Sequence, residues 1–252
     1  MNKKRLCVVI PIYKEELNDN ETSSLESYNR YFQNVDFSFI APERLDCSFY
    51  IKAYPQYSIE RFNDKYFKNA KTYNKLMLDR NVYARYSNYE YIVIAQTDAI
   101  IFNYETNFDK FMNMGYDYIG PPWYSHPIKK DDSIWKYILK KLIIPDLSVL
   151  KAGNGGFSLR KIDKFIKLLD SDNLFLKLFW HFNEDIYFAS RGTIGKNKIS
   201  VAPQEVSEIF ALDEDMKKKI ETAKPVALHA WELYFSDLSE LNEIRNRIIQ
   251  VK

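Results

Sequence analysis

Two cysteines, three histidines and seven glycines in 252 residues leave several kinds of protein chemistry without their raw material. Cys7 and Cys47 fall in strand or strand-edge contexts and lack the paired spacing of a zinc site, which argues against a disulfide framework and fits buried thiols in a reducing compartment. An excess of one charge is also missing. Lys plus Arg number 36 against 34 for Asp plus Glu, and a net charge of +2 supplies no broad positive field for gripping duplex DNA. Nucleic acid is therefore not an expected partner. No apolar stretch reaches the ~20 residues needed to cross a bilayer, so any membrane contact is peripheral. The opening MNKKRLCVVIPIY places basic residues before an apolar run, but that run is too short for a secretory signal and breaks at Pro11 without a small-residue cleavage site. It reads as the first strand of a cytoplasmic protein. There is no internal repeat and no low-complexity linker.

What is present is apolar mass and aromatic rings. A hydrophobic fraction of 46% supports one large core, and α/β chains of this length commonly stay undivided, so residues 1–252 are expected to form one domain. Aromatics make up 16%, with 19 Tyr, more than a minimal core requires, and tyrosine is amphipathic enough to line a polar pocket. Residues 6–12 form a Val/Ile/Leu run suited to a buried parallel strand. A helix is predicted over 23–32, short strands over 37–41 and 49–53, a helix over 72–86, and a strand over 91–95. Further along, the pattern predicts strands over 116–119, 153–159 and 225–231 and helices over 133–144, 162–169 and 184–190. Strands interleaved with helices imply right-handed βαβ units, an α/β fold and a mostly parallel central sheet flanked by helices. Ligands gather beyond the carboxyl ends of such strands.

Four short segments carry candidate chemistry. Gln96, Thr97 and Asp98 follow the strand YIVIA directly, where the Asp98 carboxylate, a hard oxygen ligand, can reach a Mg²⁺ or Mn²⁺ ion bound to phosphates; it can equally cap the following turn. Gly153, Asn154, Gly155 and Gly156 hold three of the seven glycines, which means a closely approached backbone or positive φ, at a ligand or in a tight turn. This loop lacks the order of a phosphate-cradling P-loop. Glu184 and Asp185 open a predicted helix, where they either complement its N-terminal charge or supply a general base. His229 sits in the apolar, strand-like VALHAW, a setting that suits a core histidine as well as a ligand.

In their order along the chain, VVIPIY, QTD, GNGGF, NED and LHAW resemble the core of the GT-A glycosyltransferases: a first strand and nucleotide turn, a DXD-type motif, a glycine loop, an xED motif and a C-terminal histidine. The segments IAQTDA, IGPPW and GNGGFSLR are similar to those of a family of bacterial glycosyltransferase-like proteins. The resemblance spans nearly the whole chain and implies a GT-A, Rossmann-like fold and transfer of a sugar from a nucleotide-sugar donor, a UDP-sugar foremost, to a glycan or lipid-linked acceptor. It implies Mn²⁺ or Mg²⁺ held by Asp98 and His229, and Asp185 as catalytic base with Glu184 second. Donor contacts would come from Pro11, Ile12, Tyr13, Gln96, Thr97, Asp98 and the loop Gly153 to Gly156. A base facing the anomeric carbon implies inversion. One departure is Gln96, where many GT-A enzymes carry Asp; its amide can still hydrogen-bond a sugar hydroxyl.

Two further residues lie in positions suited to stacking. Tyr13 follows the first strand, where it either stacks on a nucleobase or packs against the next helix. Trp123, after Gly120-Pro121-Pro122, presents its indole to an acceptor sugar or packs in the core. The segment 133–144 combines Trp and Ile with three lysines and is a candidate for peripheral contact with an anionic membrane, or else an ordinary surface helix. Abundant Asn, Lys and Ile, together with the resemblance, point to envelope or capsular polysaccharide synthesis. Two competing functions stay open: a degenerate GT-A scaffold that binds without turnover, kept alive by Gln96, and a sugar-phosphate nucleotidyltransferase, disfavoured because PIYKEE contains no glycine.

Overall fold

A computed structural model describes residues 3–124, 153–171 and 183–250. The helix expected over 133–144 lies outside the described residues. Strands β1 (Lys4–Pro11), β2 (Asp36–Pro42), β3 (Ser58–Phe62), β4 (Tyr89–Ala95), β6 (Tyr118–Ile119) and β7 (Phe157–Lys161) form one sheet in the order β3-β2-β1-β4-β7-β6. The first four are parallel, and β7 runs antiparallel to both β4 and β6. A second sheet joins β5 (Ala99–Ile101), β9 (Ala227–His229) and β8 (Ala211–Leu212), in that order.

The apolar runs that betrayed β1 and β4 reflect burial on both faces. Leu6, Val8 and Ile10 with Tyr91, Val93 and Ala95 pack into one core; Cys7 and Val9 with Ile92 and Ile94 pack into another on the opposite face. Alternate side chains of a strand point to opposite faces, so a central strand covered by helices must be apolar throughout. Each fully buried Val or Ile here contributes roughly 1.5–3 kcal/mol relative to exposure.

On the first face lies α1 (Asp19–Tyr31), begun by an Asn18–Glu21 capping box: Asn18 Oδ1 accepts from Glu21 N at 2.8 Å and Glu21 Oε2 from Asn18 N at 2.9 Å. On the other face lie α3 (Ala70–Met77), α4 (Arg80–Arg85), α6 (Ile162–Ser171) and α7 (Glu184–Ser190), which supply Leu76, Val82, Phe165 and Phe188 to the second core. A third core beneath the small sheet gathers Ile100, Leu212, Leu228 and Trp231 with Ile220 of α9 (Met216–Ala223) and Leu241 and Ile244 of α10 (Leu238–Gln250). The remaining helices are α2 (Ser48–Ala53), α5 (Asp109–Asn113) and α8 (Gln204–Phe210). Among the described residues, no helix is long and apolar enough to cross a membrane. Cys7 and Cys47 are both buried and unpaired.

Two elements depart from the sequence pattern. Residues 49–53, expected as a strand, belong to α2, because Tyr50 and Tyr54 bury their rings one helical turn apart against Phe39 while Ile51 stays exposed. The single helix expected over 72–86 is two helices: Asp79 Oδ1 accepts from Asn81 N at 2.9 Å and caps α4, so the chain turns after Leu78.

Candidate active site

The order of the large sheet reverses between β1 and β4, and such a switch point opens a crevice at the carboxyl ends of the strands. A cavity of about 370 Å³ occupies it, lined by Pro11 at the end of β1 and Tyr13 just beyond it, Glu21 of α1, Phe67 to Ala70 and Tyr73, and Gln96, Thr97 and Asp98 after β4. Tyr13 stands at its rim, 61% exposed. Ile12, expected to touch the donor, is instead buried in the α1-side core with its N–H donating to Ile40 O, because it continues the apolar alternation of β1.

Gln96 to Asp98 form the turn by which the chain leaves the large sheet at Ala95 and enters the small one at Ala99. The turn is held from several sides. Gln96 N donates to Gly156 O at 2.9 Å, and Tyr28 Oη of α1 bonds the carbonyls of Gln96 and Ala99 at 2.7 and 2.5 Å. Thr97 Oγ1 donates to Glu21 Oε1 at 3.2 Å, and Ala230 N to Asp98 O at 3.0 Å.

The antiparallel register of β5 and β9 pairs Ala99 with His229, which brings residues 131 positions apart in sequence to one edge, Asp98 and His229 included. Asp98 Oδ1 is buried and forms an ion pair with His229 Nε2 at 3.5 Å. Gln96 Oε1 lies 3.1 Å from the same nitrogen, while Nδ1 on the far side of the ring bonds Asp213 Oδ1 at 2.8 Å. Burial opposes charge on this imidazole, but the Asp213 and Asp98 carboxylates outweigh it and raise its pKa to about 10. Burial also raises the Asp98 pKa, and the His229 cation outweighs it, leaving the carboxyl below its ordinary value.

The glycine loop fits between this cluster and the acidic pair. A side chain on Gly156 would place its Cβ 2.1 Å from His229 Nε2, and one on Gly155 would meet Glu184 Oε1 at 2.5 Å. The room left by the missing side chains at Gly155 and Gly156 is thus filled by the protein's own side chains, Glu184 and His229. A Cβ on Gly120 of the IGPPW segment would lie 2.2 Å from Asn154 O, and Gly153 N and Asn154 N both donate to Pro121 O. Gly153, at φ +127°, has its carbonyl bonded by Tyr118 Oη. The motifs separated along the chain are therefore stitched into one loop assembly.

Glu184 and Asp185 play different parts. Glu184 pairs with the wholly buried Arg160, Oε1 to Nη2 at 3.0 Å, and Arg160 also donates to Tyr83 Oη and Ser158 Oγ. Asp185 is 6% exposed and accepts from Ile186 N at 2.7 Å. Burial, reinforced by the neighbouring Glu184 carboxylate, lifts its pKa well above the ordinary carboxylate range. Trp123, expected to offer its indole to an acceptor, is only 8% exposed and packs in the second core; the turn through Pro121 and Pro122 directs the ring inward.

Residues 56–229 match the family described as "Protein of unknown function (DUF5672)". The chain belongs to this DUF5672 family. No curated protein matches it. Among solved structures, the DUF5672 chain is similar to the galactosyltransferase LgtC in complex with donor and acceptor sugar analogues, with a TM-score of 0.59 and 8% identity over 96% of this chain and 95% of that one. Mouse xyloside xylosyltransferase 1 matches with a TM-score of 0.54 and 13% identity over 90% and 97% of the two chains. The bifunctional glycosyltransferase WbbM matches with a TM-score of 0.53 and 12% identity; 90% of this chain is covered but only 45% of WbbM, so the chain spans less than half of that protein. The fold is therefore the GT-A fold of glycosyltransferases, with a central, mostly parallel sheet flanked by helices, as the sequence implied.

Asp213 was not singled out by sequence. It follows β8, a strand of two residues, within an acidic run, LDED, that reads as solvated surface. The one signal available was position: a carboxylate directly after a short apolar Ala-Leu pair.

Proposed function

We propose that this protein is a glycosyltransferase that moves a sugar from a nucleotide-sugar donor, a UDP-sugar foremost, to a glycan or lipid-linked acceptor in polysaccharide synthesis, with a divalent cation as cofactor. The observation that carries this is the convergence of Asp98 Oδ1 and Gln96 Oε1 on His229 Nε2 beside the switch-point cavity, whose lining includes Gln96 and Asp98. Among the described residues, no three His, Cys, Asp or Glu side chains are grouped to hold a metal ion, and the third group facing this point is the Gln96 amide. Two oxygens and one ring nitrogen suit Mn²⁺ or Mg²⁺, which complete their shells with phosphate and water. Asp98, His229 and Gln96 would hold the ion, which when bound supplies neutralising charge for the diphosphate leaving group.

Around that point the chain's own groups divide the work. Tyr13 offers an exposed ring at the rim of the cavity for a nucleobase to stack on, and Pro11 and Thr97 line its wall. Asp185, on α7 beside the glycine loop, has a pKa raised towards neutrality, which suits a base that takes the proton of the acceptor hydroxyl as that oxygen attacks the anomeric carbon. Direct attack of this kind inverts the anomeric centre. Glu184 is committed to Arg160 and holds α7 in place rather than meeting substrate.

Donor turnover with an acceptor screen, measured on wild type, Asp98→Ala and Asp185→Ala with and without Mn²⁺, tests the proposal. Metal-dependent turnover lost in both variants supports it. Tight donor binding without turnover on any acceptor would instead identify a scaffold that keeps the fold without the chemistry.

A further inference from the structure

Between the glycine loop and the small sheet sits a carboxylate that none of the expected roles uses. Asp213 Oδ1 bonds His229 Nδ1 at 2.8 Å, and Asp213 Oδ2 accepts from Asn154 Nδ2 at 2.5 Å, while Asn154 Oδ1 in turn accepts from Gly156 N at 3.0 Å. Its side chain is 15% exposed. The two nitrogens of an imidazole point in nearly opposite directions. Because Asp213 holds Nδ1, it cannot share a cation with Asp98 and Gln96, which face Nε2.

We infer that Asp213 is a positioning residue: it fixes the ring of His229 so that Nε2 is turned towards Asp98 and Gln96, and it ties that ring to the glycine loop through Asn154. This deepens the proposed function and rests on the assignment of Asp98, Gln96 and His229 to a cation. The physical grounds are independent of that assignment in two respects. With Asp213 accepting at Nδ1 the ring keeps its hydrogen there, so a cation that displaces the Nε2 proton meets a lone pair already aimed at Asp98 and Gln96, the arrangement by which carboxylates orient metal-binding histidines. Furthermore, the Gly156 backbone lies against the His229 ring, so the ring's plane and the loop's path are set together, and Asp213 is the group bonded to both.

The test uses the full chain with UDP or GDP present and measures free Mn²⁺ by its electron paramagnetic resonance signal. Wild type, Asp98→Ala, Asp213→Asn and Asp213→Leu are compared, together with the ratio of Co²⁺ to Mg²⁺ affinity and the metal-free melting temperature. Loss of an outer carboxylate of this kind weakens metal binding about 10–100-fold. Asp213→Leu is expected to show that loss, and Asp213→Asn, which can still accept from Nδ1–H, a smaller one. Because Co²⁺ gains more from an imidazole ligand than Mg²⁺ does, the Co²⁺ to Mg²⁺ ratio should fall in Asp213→Leu, which a general loss of stability would not produce. If wild type binds Mn²⁺, Asp98→Ala does not, and both Asp213 variants bind with wild-type affinity and ratio, the positioning role is overturned and the cation site stands. If wild type itself binds no Mn²⁺ with either nucleotide, the cation site falls and the role of Asp213 falls with it. Should Asp213→Leu fail to fold, Asp213→Asn alone decides, since it is isosteric and keeps one hydrogen bond.

Discussion

At the scale of single residues, the glycines and the buried acid make the sharpest demands. Gly156 has no tolerance for a side chain, since the atom an alanine would add lies 2.1 Å from the ring nitrogen of a histidine already held by Asp213. Gly156→Ala should therefore displace His229 and weaken Mn²⁺ binding at least about tenfold, measurable by titration with little change in far-ultraviolet circular dichroism. Asp185 gives a prediction with a definite sign. Its pKa is raised in the fold, so the folded state binds the proton more tightly than the unfolded chain does. Its contribution to stability is then fully present below the ordinary carboxylate value and is lost as the pH rises through the folded value. Asp185→Asn removes the ionisation, and the variant should become progressively more stable than wild type from acid to mildly alkaline pH. Each kcal/mol gained corresponds to about 2–4 °C in melting temperature for a chain of this size. The same variant should lose transfer activity, so stability and activity move in opposite directions; parallel losses would show that the carboxylate is structural.

At the scale of elements, α1 presents Glu21 of its first turn to the cavity and Tyr28, nearer its C-terminal end, to the turn through Gln96 and Asp98. Asn18→Ala removes the capping box and should cost about 1 kcal/mol, read as a small drop in the denaturant midpoint with activity nearly intact. Tyr28→Phe removes the hydroxyl shared by the Gln96 and Ala99 carbonyls, and because Gln96 O keeps the Ala99 N–H as donor the cost should be about 0.5–1.5 kcal/mol; donor turnover should fall beyond the effect on stability because those carbonyls flank Asp98. Elements also explain what the sequence made legible. β1 and β4 are central, buried on both faces and continuously apolar, so they stand out. β3 is an edge strand with one buried residue, Phe62, and β8 has two residues in all, too little chain to show any periodicity. Residues 49–53 misled for a chemical reason: a run of aromatic and branched side chains favours a strand locally, whereas the ring contacts of Tyr50 and Tyr54 with Phe39 are tertiary and select a helix. Asp98 and His229 were legible because each follows or ends a recognisable apolar run. Asp213 was not, since its partners lie 16 and 59 positions away: the register of β8 and β9 sets it level with His229, and the glycine loop brings Asn154 to it.

At the scale of the whole molecule, the candidate site is assembled from parts that belong to different layers. Gln96 and Asp98 come from the link between the two sheets, His229 from the small sheet, Asp185 from a helix of the second face, and the glycine loop packs against all but the first of these while bonding Gln96 through its backbone. A ligand that bridges Asp98 and His229 therefore stabilises the junction of the two sheets as well as its own contacts. Mass action sets the size: at a hundredfold excess over Kd, a ligand specific for the folded state adds about 2.7 kcal/mol. With about 2–4 °C per kcal/mol, Mn²⁺ together with a nucleoside diphosphate should raise the melting temperature of wild type by roughly 5–10 °C. Chelation with EDTA should reverse the rise, and Asp98→Ala should show none of it. The small-sheet core around Trp231 and Leu228 includes none of Gln96, Asp98 and His229, so conservative changes there should lower the baseline melting temperature while leaving the ligand-induced increment intact. An equal increment in Asp98→Ala would place the cation elsewhere on the chain and remove the physical basis for metal-assisted sugar transfer at this crevice.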